Sequence, residues 1–205
     1  VCSSDLNPAS ARAHAVLGAV SLSQKNAAAA RTEFTQALAF DPNQAGALRG
    51  MLALAQQAKN EDEMLAWLAR LVAGDPLNPG LHRMRAQILL KKKDEAGAAD
   101  ALAKTVSLES QDYGSRRELV RILMARGDYA SAAKYIDEII GIWPYERQVH
   151  EWAAVAFEKL GDKDRAELEK KLIPLSKGPA VQVKPPPPPQ PDVTPAPGPE
   201  DKGPV

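Results

Sequence analysis

The sequence predicts an all-α protein, a solenoid of about five helix–turn–helix units, and the spacing of its prolines is the main reason. Pro8, Pro42 and Pro76 lie 34 residues apart, and Pro144 falls on the same spacing with Ser110 at the intervening place. A proline that ends a helix every 34 residues is typical of a helix–turn–helix repeat array. No segment shows the apolar–polar alternation of a half-buried strand, so we expect helices and turns alone.

Two helices fill each repeat. Numbering the units from 1 to 34 predicts repeats over about 11–44, 45–78, 79–112, 113–146 and 147–173. The predicted helices span about 9–22, 27–40, 43–57, 61–73, 79–91, 95–108, 112–125, 129–142, 145–159 and 163–173. One unit is too small to bury its own apolar face, so stacking between neighbours supplies the core.

Packing and capping residues recur at fixed positions. Small residues at positions 8 and 20, such as Gly18 and Ala30, let two helices approach closely, and position 24 is bulky from Phe34 to Ile136. In the last unit position 24 is Lys170, which suits a solvent-facing end of the solenoid. Position 16 carries a residue that can cap the second helix in every unit: Asn26, Asn60, Asp94, Asp128 and Asp162.

Position 15 should close the first helix of each unit. Gly127 and Gly161 suit a left-handed residue there, but the first three units carry Lys25, Lys59 and Lys93. A left-handed lysine costs about 1–2 kcal/mol. We therefore expect the three lysine turns to be looser or differently shaped.

The chain resembles the tetratricopeptide-repeat family over about residues 7–173. Unit one carries family residues at Leu17-Gly18, Ala30, Phe34, Ala37 and Asp41-Pro42. Unit four carries them at Leu119, Arg126-Gly127-Asp128-Tyr129, Ala132 and Trp143-Pro144. Units two and three match less well, at Leu71, Arg85 and Thr105. The resemblance implies a right-handed superhelix whose first helices line a concave groove for protein segments.

The two ends have a different composition from the repeats. Residues 1–6, Val1-Cys2-Ser3-Ser4-Asp5-Leu6, resemble a translated sequencing adapter. We expect them to be non-native and the natural chain to begin upstream. Residues 174–205 are proline-rich, and we expect a disordered tail, with a ligand for a proline-binding domain as the alternative.

Composition and motifs argue against several functions. Lysine plus arginine balance aspartate plus glutamate, 26 against 26, whereas a general nucleic-acid binder should be basic. No phosphate-binding loop, zinc-ligand spacing or nucleophile–histidine arrangement occurs, so we predict no enzyme activity, cofactor or metal. His14, His82 and His150 share position 4 but lie two units apart, too far to share one ion. No apolar run is long enough for a membrane helix.

Arginines provide the candidate site. Arg49, Arg83 and Arg117 occupy position 5 in three consecutive units, and we call them the arginine row. In the family, position 5 faces the groove, so the resemblance implies a row of guanidinium groups that can each hold a carboxylate by two hydrogen bonds. The predicted partner-binding residues are Arg49, Arg83, Met84, Arg117, Arg121, Met124 and Trp152. The alternative is that the arginines are solvated, or paired with neighbouring acids, on an idle face.

We therefore predict a protein-interaction scaffold that binds a peptide or partner protein, with acidic groups, in the groove. One alternative is the C-terminal arm of a larger enzyme, such as a peptidase or transferase, whose catalytic domain lies upstream. Another is a structural spacer, which internal Arg–Glu pairs along the groove would favour. By analogy with proteins of the same architecture, we expect a bacterial protein. The sequence does not decide between cytoplasm and periplasm.

Overall fold

The computed structural model describes residues 8–176, with side chains from Ser10 onward. Over this range the chain forms ten α-helices. They are α1 (Pro8–Ser23), α2 (Ala27–Phe40), α3 (Ala45–Gln57), α4 (Glu61–Gly74), α5 (Pro79–Lys91), α6 (Glu95–Leu108), α7 (Tyr113–Arg126), α8 (Tyr129–Ile142), α9 (Arg147–Leu160) and α10 (Lys163–Leu172). A 3₁₀ helix, Ile173–Leu175, follows. The all-α prediction is confirmed; the predicted leader and residues 177–205 of the predicted tail lie outside the described residues.

Each helix packs against the next one along the chain, and α1 also contacts α3. The predicted helix boundaries differ from the observed ones by two residues at most. The largest differences are at the starts of α3 and α9, which were predicted two residues early. Before α3, the Asn43 N–H donates to the Asp41 carboxylate at 2.9 Å, and Gln44 caps the Ala47 N–H at 2.6 Å. These bonds hold residues 41–44 in a turn, so the helix begins at Ala45.

The predicted caps of the second helices are confirmed. At position 16 the side-chain oxygens of Asn26, Asn60, Asp94, Asp128 and Asp162 each accept the N–H three residues later. The distances run from 2.9 Å at Asp94 to 3.2 Å at Asn60. Each cap fixes where the second helix starts and therefore the angle at which it returns over the first.

The expectation of looser turns at the three lysines is wrong. Lys25, Lys59 and Lys93 have φ angles of 61°, 54° and 62°, in the same left-handed region as Gly127 and Gly161 at 75° and 84°. The cost of about 1–2 kcal/mol per lysine does not change the turn.

Backbone hydrogen bonds explain why the lysine turns keep the glycine shape. The Asn26 N–H donates to the Ser21 carbonyl at 2.9 Å, just as the Asp128 N–H donates to the Leu123 carbonyl at 3.0 Å. Each bond satisfies a carbonyl at the helix end that would otherwise lack a partner. The closing bonds, together with the cap that follows, outweigh the strain of one residue.

The bulky residues at position 24 form the centre of each helix pair. Phe34, Leu68, Leu102 and Ile136 are buried, whereas Lys170 is exposed and pairs with Glu158 and Glu167 at 3.1 and 3.0 Å. Phe34 lies between two glycines: a methyl group added at Gly18 would stand 2.5 Å from its ring, and one at Gly50 would also overlap it. Close approach of α1, α2 and α3 therefore depends on those two glycines.

The first helix of the described chain carries an uncovered apolar face. Leu17 and Val20, at positions 7 and 10, are 51% and 47% exposed. At the same positions of unit four, Leu119 and Ile122 are 1% and 0% exposed because the preceding unit covers them. A preceding unit would cover α1 in the same way, and the upstream start stays a prediction.

Candidate protein-binding groove

The arginine row stands on the first helices of units two, three and four. Arg49 lies on α3, Arg83 on α5 and Arg117 on α7. Arg49 is exposed, and the side chains of Arg83 and Arg117 are 38% and 45% exposed. All three guanidinium groups can therefore be reached from solvent.

Two members of the row are paired with acids of this chain. Arg83 Nε donates to the Asp112 carboxylate at 2.7 Å, and its Nη2 also pairs with Glu109. Arg117 Nε lies 3.3 Å from the Glu146 carboxylate, and its Nη2 donates to Gln148. In both units the acid stands at position 34, directly before the next unit's first helix.

Arg49 lacks such a partner. Position 34 of its unit is Asn78, whose amide donates to Asp75 at 3.0 Å and whose oxygen accepts the Gly80 N–H at 3.1 Å. No acid among residues 10–176 forms an ion pair with Arg49. The row is therefore electrically uneven, with one unpaired cation followed by two neutralised ones.

Asp112 belongs to both the fold and the groove. It caps α7 by accepting the Ser115 N–H at 3.0 Å, and it also accepts the Ser115 hydroxyl at 2.7 Å. Burial opposes its ionisation, but these two bonds and the charge of Arg83 outweigh burial and hold the pKa of Asp112 below its usual value. The carboxylate is thus ionised at neutral pH and stays bound to Arg83.

Arg121 is also paired within its own helix. Its Nη2 lies 2.9 Å from the Glu118 carboxylate and 3.7 Å from that of Glu95. The hydrogen bond to Glu118 is the main reason that the pKa of Arg121 is raised despite burial. The charge of Arg121 is therefore balanced by that of Glu118, as in the alternative that the arginines pair with neighbouring acids.

The predicted apolar groove residues are more buried than a contact surface requires. Met124 and Trp152 are 5% and 4% exposed and belong to the core of units three to five. Met84 is half-buried and packs against the core between units two and three. Of the three, only Trp152 lines one of the two pockets along α5, α7 and α9.

Two adjacent pockets of about 250 Å³ each lie along these helices. The first, the Arg83 pocket, is lined by Arg83, Ala86, Gln87, Leu90, Leu102, Asp112, Gly114, Ser115 and Glu118. The second, the Arg117 pocket, is lined by Tyr113, Gly114, Arg117, Glu118, Arg121, Gln148 and Trp152. They share Gly114 and Glu118, so one elongated ligand could enter both.

Sequence reasoning missed several of these residues. Asp112 and Glu146 could have been found from the sequence, because each lies 29 residues after the arginine with which it pairs. Tyr113 begins the first helix of unit four, at position 1, outside the positions that the resemblance assigned to the groove. Gln148 is the second residue of the first helix of unit five, at a groove position, but it was not singled out. Their contribution depends on how one unit stacks on the next, which the sequence pattern does not specify.

The described chain offers no metal centre and no transmembrane helix. Within residues 8–176, no three or more His, Cys, Asp or Glu side chains are grouped so that they could hold a metal ion. None of the helices in that range is both long and apolar enough to cross a bilayer.

Comparison with known proteins matches part of the chain to one repeat family. Residues 117–178 match the family model described as Tetratricopeptide repeat. No curated protein matches the sequence. The structure is similar to MamA (AMB-1), with a TM-score of 0.58, 18% identity and coverage of 80% of this chain and 90% of that one.

Two further solved structures show the same fold. YrrB, described as a TPR protein with an unusual peptide-binding site, has a TM-score of 0.56 at 17% identity, covering 78% of this chain and 82% of its own. A tetratricopeptide repeat protein from Parabacteroides merdae has a TM-score of 0.50 at 18% identity, covering 86% and 68%. At these identities the similarity establishes the fold alone.

Proposed function

We propose that this tetratricopeptide-repeat solenoid is a protein-interaction scaffold whose groove holds a partner segment with an acidic side chain at Arg49. The observation that carries the proposal is the unequal neutralisation of the arginine row. A carboxylate arriving at Arg49 meets an unpaired guanidinium, to which it can form two charge-assisted hydrogen bonds. At Arg83 or Arg117 it would first have to displace Asp112 or Glu146.

The two pockets receive the uncharged part of the segment. The Arg83 pocket has Ala86 and Leu90 in its wall, and the Arg117 pocket has Tyr113 and Trp152. A pocket of about 250 Å³ has room for one side chain. We therefore expect the partner to place its acid near unit two and apolar side chains near units three to five. YrrB, which shares the fold, is described as having a peptide-binding site.

Selection of peptides from a random phage-displayed library on the purified chain tests the proposal. We expect the selected peptides to contain an acidic residue and at least one apolar residue. The Kd of one such synthetic peptide is then measured by fluorescence anisotropy for the wild type and for three variants: Arg49→Glu, Arg83→Glu and Arg85→Glu. Arg49→Glu should weaken binding about tenfold or more, since reversing a paired charge replaces attraction with repulsion.

Arg85→Glu is the matched control. Arg85 is exposed on α5 at position 7, outside the groove positions, and the substitution changes the net charge equally. Its Kd should stay within about twofold of the wild-type value, the range of an exposed charge that makes no contact. Equal losses for Arg49→Glu and Arg85→Glu would contradict a specific acid site at Arg49. Added salt should also weaken wild-type binding, because exposed charges are screened beyond about 8–10 Å.

A structural spacer is the second candidate function, and the internal ion pairs favour it. Arg83–Asp112 and Arg117–Glu146 each connect one unit to the start of the next, which stabilises the stack without any ligand. The spacer predicts that no peptide is enriched over the control library. It also predicts that Arg83→Glu lowers the free energy of unfolding, because the substitution breaks the ion pair with Asp112. The enzyme-arm alternative stays a prediction, and the coding DNA upstream of Asn7 tests it.

A further inference from the structure

A third pocket lies mainly on the second helices of units three and four. It measures about 480 Å³ and is bounded by α6, α8, the turn between α6 and α7, and Arg116 of α7. Its wall includes Ser110, Arg116, Lys134, Tyr135, Glu138 and Ile142, and we call it the Arg116 pocket. None of its lining residues belongs to the arginine row or to either groove pocket. Apart from Arg116 on α7, its walls come from the second helices α6 and α8 and from the turn before α7, so the pocket is separate from the two groove pockets.

Arg116 carries an unsatisfied buried donor. The side chain is 3% exposed, and its Nε donates to the Glu138 carboxylate at 3.0 Å. Its Nη1 is buried and has no hydrogen-bond partner among the described residues. A buried charged donor without a hydrogen-bond partner is costly, so such a group usually has one. The arginine therefore retains hydrogen-bonding capacity that the described residues do not use.

Unit four differs from units three and five at this place. In unit five His150 stands at position 4, and its Nε2 donates to the Pro144 carbonyl at 2.8 Å; unit three makes the same contact. In unit four both partners are replaced, with Arg116 at position 4 and Ser110 in place of the proline. Arg116 thus does not perform the structural task of the histidine. The double replacement occurs where the pocket lies, and both residues line it.

The charges of the pocket select the class of ligand. Arg116 and Lys134 supply two positive charges and Glu138 one negative charge, so one carboxylate would leave the lined pocket neutral. A doubly charged phosphate would add an excess negative charge beside Glu138. The ring of Tyr135 and the side chain of Ile142, 50% exposed, offer apolar surface next to the cations.

We infer that the Arg116 pocket binds a carboxylate attached to an apolar group, with the guanidinium of Arg116 as the anchor. Lys134 contributes charge at the exposed edge, and Tyr135 and Ile142 contact the apolar group. Glu138 holds Arg116 through Nε and competes with the ligand for the positive charge. Removing Lys134 and removing the charge of Glu138 should therefore have opposite effects on affinity.

An NMR titration of the intact chain tests the inference. The probes are N-acetyl-leucine and its uncharged analogue N-acetyl-leucinamide, which differ only in the carboxylate. We expect saturable shifts of backbone amides in residues 103–111 and 134–142 with the acid, and none with the amide. A tetrapeptide with a free C-terminal leucine, titrated in parallel, separates the sources. Tighter binding than N-acetyl-leucine indicates a protein C-terminus, and equal binding indicates a free acid.

Three variants of the pocket and one control variant decide the outcome. Lys134→Gln should weaken N-acetyl-leucine binding about two- to fivefold, the effect of one partly exposed charge, whereas Lys104→Gln on α6, outside the pocket, should not change it. Glu138→Gln should strengthen binding, and Arg116→Gln should abolish it. If Arg116→Gln does not fold, the opposite signs at Lys134 and Glu138 carry the test. Equal binding of acid and amide, or no saturable shift in either residues 103–111 or residues 134–142, would overturn the inference.

Discussion

At the scale of single residues, Lys25, Lys59 and Lys93 hold a left-handed backbone that glycine adopts without steric cost. Replacing Lys93 with glycine should raise the free energy of unfolding by about 0.5–1 kcal/mol. This is the relief of about 1–2 kcal/mol of strain less the extra freedom of glycine in the unfolded chain. Urea denaturation measures the change.

The control for this substitution is Lys104→Gly. Lys104 is an exposed lysine inside α6, so the charge change is the same but the backbone is helical. It should lose roughly 0.5–1 kcal/mol, the usual cost of glycine within a helix. A loss of stability for both variants would show that the left-handed lysine is not strained.

Two histidine–glutamate pairs occupy the same repeat positions at very different depths. His14 and Glu33 are 2.8 Å apart with both side chains 27% exposed, whereas His150 and Glu169 are 2.6 Å apart and 1% and 4% exposed. We expect His150→Ala to lower the free energy of unfolding by roughly 3 kcal/mol, because it leaves Glu169 buried with only Arg165 nearby, at 3.6 Å. His14→Ala should cost less than about 1 kcal/mol.

Thermal and urea unfolding of the wild type, of the four single variants in which one histidine or one glutamate is replaced, and of the two double variants measure this difference. The double variants give the coupling energy of each pair. Similar coupling at the two sites would contradict the role assigned to burial.

Residue-scale predictions from sequence succeeded where the contact is local. The caps at position 16 bond a backbone N–H three residues away, so residue type and spacing suffice. The lysine turns were mispredicted because the cost of one residue was weighed without the hydrogen bonds that close the turn. His150–Glu169 repeats the 19-residue spacing of His14–Glu33, but nothing in that spacing reveals which pair is buried.

At the scale of elements, the packing of α1, α2 and α3 depends on the glycines around Phe34. Gly50→Ala should destabilise the chain by about 1–3 kcal/mol, because a methyl group there overlaps the Phe34 ring and a well-filled core cannot accommodate it. Differential scanning calorimetry on the variant measures the loss.

Gly141→Ala is the matched substitution for this prediction. Gly141 lies within α8, and a methyl group added there meets no atom within 4 Å. Alanine should therefore stabilise the chain by about 0.5–1 kcal/mol through helix propensity alone. If Gly50→Ala also stabilised the chain, the packing of the Phe34 ring would not depend on the glycines beside it.

The number and order of the helices followed from the 34-residue period, whereas two of their starts did not. The period places each helix pair, but the first residues of α3 and α9 depend on turns that follow Pro42 and Pro144. At α3 the bonds from Asp41 and Gln44 set the boundary. Such turns compete with the first helical bonds, and a periodic pattern does not resolve that competition.

At the scale of the whole molecule, the buried residues divide into three clusters. One cluster joins α5 to α10 without interruption, while two smaller ones serve α1 to α3 and α3 to α5. In a repeat protein, stability is the sum of each unit and its contacts with neighbours. We therefore expect backbone amides in α7, α8 and α9 to exchange with deuterium most slowly and those in α1 and α2 fastest.

Hydrogen exchange followed by mass spectrometry or NMR measures this order. Lys25→Gly provides the control, since it should slow exchange in α1 and α2 and leave α9 unchanged. Uniform exchange along the chain, or a variant that slows every helix equally, would show that the described repeats unfold as one cooperative unit.

The superhelical class could be predicted from sequence, but the pockets could not. Repeat length and residue pattern specify which faces pack. The Arg83, Arg117 and Arg116 pockets depend on the angle between successive units and on replacements in one unit, such as Ser110 for proline. Those replacements are visible in the sequence only as departures from the period.

The links from Arg83 to Asp112 and from Arg117 to Glu146 also bear on the mechanics of the molecule. Each ties the first helix of one unit to the residue directly before the first helix of the next, where stretching would separate neighbouring units. Pulling on the ends would load these ionic links, and dissolved salt would weaken them. The coil should then behave as a spring whose stiffness falls with ionic strength in its last three units. Between units two and three, where position 34 is Asn78 and no such ion pair forms among the described residues, it would be compliant at any salt concentration.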